Sequence, residues 1–179
     1  LVTSVQLGLG DQMEIQAVRT NGNWQLVKPI SYPAQAASID TFLLVLQQLA
    51  PAVVIDISGK AARERDYQLT ADDVRSFEAA HGRIAPGTIV LLRTDWSRYW
   101  PNAKAYLGDD KPGDASKLSF PSYGPDSARL LVTERQVAAL GVDVASIDYG
   151  RSTDFMVHRI AMAAGVPGFE NLTNLARLP

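Results

Sequence analysis

Three short runs of apolar, largely β-branched residues constrain the fold most. They occupy residues 52–57, 88–92 and 144–147, and the first is bounded by Pro51 and Gly59. Continuous runs of this kind are typical of strands that are buried on both faces, as in parallel sheets covered by helices. The three runs therefore predict a buried sheet with parallel pairs.

Helix signals alternate with these runs. Capping side chains at Thr70 and Asp73 precede apolar residues at helical spacing, and His81-Gly82 closes that segment. Other helices are predicted over residues 41–49, which Pro51 stops, over 125–140 with Pro125 near the start, and over 153–164. Strands that alternate with helices predict an α/β fold with a mixed sheet flanked by helices.

The remaining segments predict shorter elements. Residues 2–18 alternate in polarity and predict two strands around a turn at 8–11, and residues 24–32 predict a further extended segment that Pro29 confines to an edge or strand end. Residues 97–123 are irregular, which indicates a functional loop or a subunit contact, and residues 166–175 close the chain. A length of 179 residues suits one domain, so we expect a single domain over 1–179.

Composition narrows the classes of function. The chain is 46% hydrophobic and 20% charged with a net charge of −2, and its basic residues are scattered, so nucleic-acid binding is not expected. The longest apolar run, residues 42–46, is too short for a membrane span. Because the sequence has no cysteine and shows no secretory pattern, we expect a cytoplasmic protein.

Four blocks, spaced along the chain, match the pattern of one family of hydrolases. They are residues 51–56, 93–96, 141–150, and 152–172, the last of which contains His158 and Glu170. From about Ala52 to Pro179 the chain resembles the cyclase family that includes bacterial kynurenine formamidase and isatin hydrolase. Upstream, the match rests on residues 29–32 and the spacing to Asp40.

The resemblance implies a swivelling β/β/α-type domain that assembles into a homodimer or a higher homo-oligomer. Members of the family hydrolyse small amides, lactams or lactones with zinc or manganese, which lowers the pKa of bound water and polarises the carbonyl. Their metal motif is His-x-Gly-Thr-His-x-Asp-x-Pro-x-His, and the corresponding segment here is residues 21–31.

Carried over by residue, the motif loses all its ligands. The first two histidines fall on Asn21 and Gln25, the aspartate on Val27, and the last histidine on Ser31. Neutral amides are feeble ligands and valine is none, so neither a metal site nor another cofactor is expected. The late histidine and glutamate of the family site fall on His158 and Glu170, and both are intact.

These positions define the candidate site. His158 and Glu170 are predicted to form an acid/base couple, although each also suits a structural role, as a core histidine or a surface carboxylate. Asn21, Gln25 and Ser31 are predicted to bind substrate, together with the aromatic residues Tyr32 and Trp96, which could equally be core aromatics.

Other carboxylates are assigned to structure. Asp143, Asp148 and Asp154 are expected to support loops and helix starts, and Asp154 in particular suits the first turn of a helix.

Three functions remain open on the sequence. The leading hypothesis is a metal-independent cyclase-family enzyme that acts on a small cyclic or carbonyl-containing compound by hydrolysis, ring closure or opening, or tautomerisation. The second is a non-catalytic homologue that binds a small molecule or serves as a structural subunit. The third is residual zinc- or manganese-dependent hydrolysis of an amide or lactone, using ligands such as Asp11.

Overall fold

A computed structural model describes residues 4–8, 14–20, 23–28, 32–33, 51–111 and 116–178. The chain forms two compact units, Leu1–Leu49 and Ala50–Pro179. The helix expected over residues 41–49 lies outside the described residues. The single domain expected over 1–179 stays a prediction.

The first unit contains an antiparallel sheet whose strands follow one another in order. Its strands are β1 (Ser4–Gly8), β2 (Glu14–Thr20), β3 (Asn23–Lys28) and β4 (Tyr32–Pro33). The two strands expected within residues 2–18 are confirmed as β1 and β2, which pair antiparallel. β3 and β4 both lie within or at the ends of the extended segment expected over residues 24–32, and residues 29–31, with Pro29, lie outside the described residues.

A parallel sheet forms the centre of the second unit. Its order is β10-β9-β7-β5, with β5 over Ala52–Asp56, β7 over Ile89–Arg93, β9 over Ala139–Val142 and β10 over Gly168–Phe169. All three pairings are parallel. The apolar side chains of Val90, Leu92, Leu140 and Val142 are fully buried, which explains the continuous apolar runs.

Helices and short connections cover this sheet. The helices are α1 (Ser58–Ala61), α2 (Ala71–His81), α3 (Ala103–Leu107), α4 (Pro125–Arg129) and α5 (Met156–Ala163). A two-stranded parallel sheet joins β6 (Gln68–Leu69) to β8 (Ser122–Tyr123), and single 3-10 turns span Trp96–Tyr99 and Leu175–Arg177.

Local capping explains where α2 begins. The Thr70 hydroxyl accepts a hydrogen bond from Asp73 N at 3.1 Å, and the Asp73 carboxylate accepts one from Thr70 N at 3.0 Å. This capping box satisfies two backbone donors that the first turn of a helix leaves open. The predicted start of α2 is therefore confirmed.

Two predicted boundaries are wrong. The helix expected over 125–140 ends as a π-helical turn over Leu130–Glu134, because Gln136 adopts a positive φ of 53° and β9 begins at Ala139. The strand expected over 144–147 lies beyond β9. Val144 and Ile147 are fully buried, as in a strand, but they belong to the connection that follows the sheet.

The α/β class with helices around a sheet is confirmed. Parallel and antiparallel pairings lie in separate sheets in the described residues. Within the second unit, Tyr123 of β8 connects the small sheet to the large parallel sheet. The residue is fully buried, and its hydroxyl lies 2.8 Å from the Gly141 carbonyl oxygen and 3.0 Å from that of Val90.

Candidate acid/base site

The site lies at the carboxyl end of the parallel sheet. Asp143 follows β9 directly, and Glu170 follows β10, the neighbouring strand. Backbone bonds join the two connections, from Asn171 N to Val144 O at 2.8 Å and from Leu172 N to Val142 O at 3.1 Å. Polar residues that follow neighbouring parallel strands are thereby brought to one edge, where α/β proteins bind their ligands.

His158 lies between two carboxylates. It belongs to the first turns of α5, and its Nδ1 atom is 2.6 Å from Asp148 Oδ2. Its Nε2 atom is 3.3 Å from Glu170 Oε1. The structure therefore brings together the two residues that the sequence nominates as a proton-transfer pair.

Asp148 orients the imidazole from the buried side. It is 3% exposed, and its carboxylate accepts hydrogen bonds from Val157 N at 2.9 Å and His158 N at 3.1 Å. These are open backbone donors at the start of α5, where the helix dipole also favours a negative charge. One side chain thus stabilises the helix start and binds Nδ1.

Glu170 is anchored by one oxygen. Its Oε1 atom accepts a hydrogen bond from Ile147 N at 2.9 Å, while 30% of the side chain remains exposed. The carboxylate is therefore oriented by the backbone after β9 and still accessible to a small molecule.

The partners define where protons can reside. A carboxylate only accepts hydrogen bonds, so Nδ1 carries a proton toward Asp148, and a proton on Nε2 is directed at Glu170. With both protons present, the imidazolium meets an acceptor on each side. Nε2 lies on the more accessible side of the ring, because the Glu170 side chain is 30% exposed and that of Asp148 only 4%.

Asp148 is the site residue that sequence reasoning missed. Its expected role at a helix start is confirmed by the bonds to Val157 and His158, but its contact with the imidazole was not anticipated. The available signal was its place in the block 141–150, ten residues before His158. Asp143 supports a loop as expected, accepting from Thr94 N at 2.8 Å and Asp95 N at 2.9 Å, and burial raises its pKa.

A cleft of about 320 Å³ includes Asn171, the residue after Glu170, in its lining, whereas His158 and Glu170 are not among its lining residues. It is lined by Ser97, Trp100, Tyr106, Asn171, Leu172 and Thr173. The Tyr106 hydroxyl donates to Asn171 Oδ1 at 3.0 Å. Burial, together with the negative charges of Asp143 and Glu170, raises the pKa of Tyr106 to about 12, so its hydroxyl keeps its proton at neutral pH.

Trp96 is buried next to Tyr106, one of the residues that line this cleft. The residue is 3% exposed, its Nε1 donates to the Tyr106 carbonyl at 2.9 Å, and the Arg65 guanidinium lies 5.0 Å from its ring centre. This is the core position that its residue type also allowed. Direct substrate binding by Trp96 stays a prediction.

The early candidates belong to the first unit. Asn21 and Ser31 lie outside the described residues, Gln25 is an exposed residue of β3, and Tyr32 belongs to β4. Their predicted part in substrate binding stays a prediction.

His158 and Glu170 are two potential metal ligands that lie side by side at this site. A ligand imidazole commonly donates its other ring N–H to a carboxylate, and Nδ1 faces Asp148 in that way while Nε2 faces Glu170. In the part of the chain that the structure describes, no three His, Asp or Glu side chains are grouped to hold a metal.

No helix among the described residues is long and apolar enough to cross a bilayer.

A family model and a curated relative both match this chain. Residues 27–149 match the family model described as "Putative cyclase". An isatin hydrolase of Roseibium aggregatum is 32% identical over 139 residues, which make up 75% of this chain and 51% of the relative. The match to the family model begins at residue 27, so Asn21 and Gln25 precede it.

Solved structures give the same picture. Isatin hydrolase A from Ralstonia solanacearum is 35% identical with a TM-score of 0.66, over 73% of this chain and 49% of that one. An isatin hydrolase bound to the product analogue thioisatinate is 31% identical with a TM-score of 0.66, again over 73% of this chain and 49% of the other. The chain spans about half the length of these relatives.

Proposed function

The chain belongs to the cyclase family, and from that premise we propose that it is a metal-independent hydrolase of small cyclic amides or related carbonyl compounds. The observation that carries the proposal is the imidazole of His158, with Nδ1 2.6 Å from Asp148 and Nε2 3.3 Å from Glu170. The pair supplies both a proton acceptor and a proton donor at the carboxyl end of the parallel sheet.

The two residues divide the proton transfers. The Glu170 carboxylate takes a proton from water as its oxygen bonds to the substrate carbonyl carbon. His158 gives its Nε2 proton to the amide nitrogen as the carbon–nitrogen bond breaks. The proton on Glu170 then passes to Nε2 across the 3.3 Å gap, so that water has been added across the amide and the site is restored.

Asp148 acts through His158. It keeps a proton on Nδ1, and this leaves Nε2 as the transferring atom. The relative named isatin hydrolase supports isatin, a cyclic amide fused to an aromatic ring, as the first substrate to test.

The test is turnover of isatin and of simpler cyclic amides, followed by chromatography of substrate and product. His158→Ala and Glu170→Gln should each lower kcat/KM about 100-fold or more. His81→Ala is the matched control, since His81 is the other histidine and is exposed on α2. Turnover that survives both site substitutions would refute the acid/base assignment.

Metal independence has its own test. Protein purified with added zinc and manganese is dialysed and its metal content measured by elemental analysis. Far less than one ion per chain, with turnover unchanged by a chelator, is the expected result. Near-stoichiometric, tightly bound metal would instead favour the residual zinc- or manganese-dependent hydrolase.

A non-catalytic homologue is the second candidate. The positions of the family's metal ligands favour it, because they are occupied by Asn21, Gln25, Val27 and Ser31. None of these side chains can bind a metal as a histidine or a carboxylate does. Such a protein would bind a small cyclic compound without turnover, and His158→Ala would change its affinity little. We also propose a homodimer, which sedimentation of the purified chain tests directly.

A further inference from the structure

Phe155 combines two properties that a folded protein seldom places on one residue. Its backbone is left-handed, with φ 50° and ψ 43°, and 56% of the residue is exposed. Left-handed backbone favours glycine and is strained for a bulky side chain. An aromatic ring at this position therefore carries a backbone cost and leaves more than half of the residue exposed.

Polar backbone contacts maintain this conformation without the ring. Phe155 N donates to Ser152 Oγ at 3.2 Å, and the Phe155 carbonyl accepts from Arg159 N at 2.9 Å as α5 begins. The next free donors of the helix are taken by Asp148. A glycine would fit the same hydrogen bonds with less strain.

The ring lies next to the acid/base pair. Its centre is 6.4 Å from that of the His158 imidazole, with an angle of 77° between the planes, which is an edge-to-face contact. Both rings keep exposed surface, a third of the His158 side chain and 56% of Phe155, so their contact lies at the protein surface.

We infer that Phe155 is a specificity-determining residue, whose ring forms an apolar wall beside His158 against which the flat, apolar part of a ligand packs. The inference deepens the proposed function and rests on it. A ligand would direct its carbonyl to the polar pair and its ring to Phe155, where aromatic packing and loss of exposed apolar surface stabilise the complex. The strained backbone of Phe155 and the exposure of its ring then both have a functional reason.

The test measures binding rather than turnover. Indanone and cyclopentanone are suitable probes, because they differ by one fused benzene ring and contain no amide or ester bond to hydrolyse. Dissociation constants are measured by NMR titration for the parent chain, Phe155→Gly and Phe155→Leu. Phe155→Gly should weaken indanone binding about three- to tenfold, change cyclopentanone binding less than about twofold, and Phe155→Leu should lie between.

Two control variants separate the ring from its structural costs. Gln136→Gly relieves another positive φ, 53°, far from the site in sequence, and Leu178→Ala removes another exposed apolar side chain. Both should keep the parent preference for indanone. The free energy of unfolding of Phe155→Gly should equal or exceed that of the parent, because the strain is relieved.

Several outcomes would overturn the inference. A parent chain without preference for indanone, or a Phe155→Gly variant that retains the preference, excludes the apolar wall. A variant that keeps its affinities but changes its sedimentation shows that Phe155 contacts another copy of the chain instead. If the His158 and Glu170 variants keep their turnover, the proposed function alone is refuted. The dissociation constants for indanone and cyclopentanone do not depend on turnover, so they test Phe155 separately.

Discussion

One carboxylate oxygen of Asp148 meets His158 twice. Oδ2 accepts a hydrogen bond from the backbone N of His158 at 3.1 Å and lies 2.6 Å from its Nδ1 atom. The direction of the imidazole is therefore coupled to the start of α5. A change that displaces this oxygen alters both the helix start and the ring.

Replacement of Asp148 by asparagine should affect stability and catalysis together. The amide offers one acceptor where two backbone donors and Nδ1 now bind, so we expect the free energy of unfolding to fall by about 1–2 kcal/mol in urea titrations. The pH profile of kcat should also shift, because the tautomer is no longer imposed. Asp154→Asn, at an exposed neighbour, should change neither; an Asp148 variant with parental stability and pH profile would contradict the coupling.

A methyl group at Gly150 should displace the connection that carries Asp148. Gly150 N donates to Phe120 O at 2.9 Å, and a Cβ at Gly150 would lie 2.6 Å from the backbone N atoms of Ser119 and Phe120. We expect Gly150→Ala to lower the free energy of unfolding by about 1–3 kcal/mol.

Gly59→Ala is the matched control for that substitution. Gly59 lies in α1 with nothing within 4 Å of a built Cβ, so alanine should leave stability unchanged or raise it by about 0.5–1 kcal/mol. Equal effects of the two substitutions would show that the close approach at Gly150 does not constrain the chain.

The ion pair between Glu78 and Arg135 should make stability depend on pH. Two contacts, at 2.7 Å and 2.9 Å, join the nearly buried side chains, and the hydrogen bonds from Arg135 lower the pKa of Glu78 from its ordinary 4.5. Because the folded pKa is the lower one, the pair stabilises the fold fully above about pH 4.5, and its contribution is lost as pH falls through the folded value.

Glu78→Gln should therefore lower the free energy of unfolding by about 2–3 kcal/mol at pH 7, and by progressively less below pH 4.5. Glu134 contacts the same guanidinium at 3.4 Å but is 62% exposed, so Glu134→Gln should cost less than about 1 kcal/mol. Urea titrations at pH 7 and below pH 4 compare the variants. A Glu78→Gln deficit that is unchanged at low pH would exclude the ion pair as its source.

Removal of the Tyr123 hydroxyl should weaken the link between β7 and β9. The group is fully buried and bonds to carbonyls of both strands. Tyr123→Phe should lower the free energy of unfolding by about 1 kcal/mol, whereas Tyr99→Phe, at a hydroxyl bonded to exposed Arg98, should cost less than about 0.5 kcal/mol. Thermal unfolding of both variants gives the comparison.

Local signals predicted the elements whose determinants are close in sequence. The capping box that begins α2 consists of residues three apart, and the apolar runs of β5 and β7 begin and end within one residue of the observed strands. The error at β9 has a different origin. Residues 144–147 are as apolar as a strand because they are buried, yet the backbone of Val144 and Ile147 bonds to Asn171 and Glu170 instead of continuing the ladder.

Residue types and their spacing carried the α/β class and the resemblance to the cyclase family, and that resemblance gave His158 and Glu170 as a candidate pair. The third member, Asp148, and the choice of which nitrogen faces which carboxylate emerged with folding. Those contacts depend on β10 pairing beside β9 and on Asp148 forming a parallel bridge with Tyr123, both of which join residues distant in the chain. A sequence pattern records which groups are present and how far apart they lie along the backbone, while the angle and distance between two side chains follow from how the elements that carry them pack.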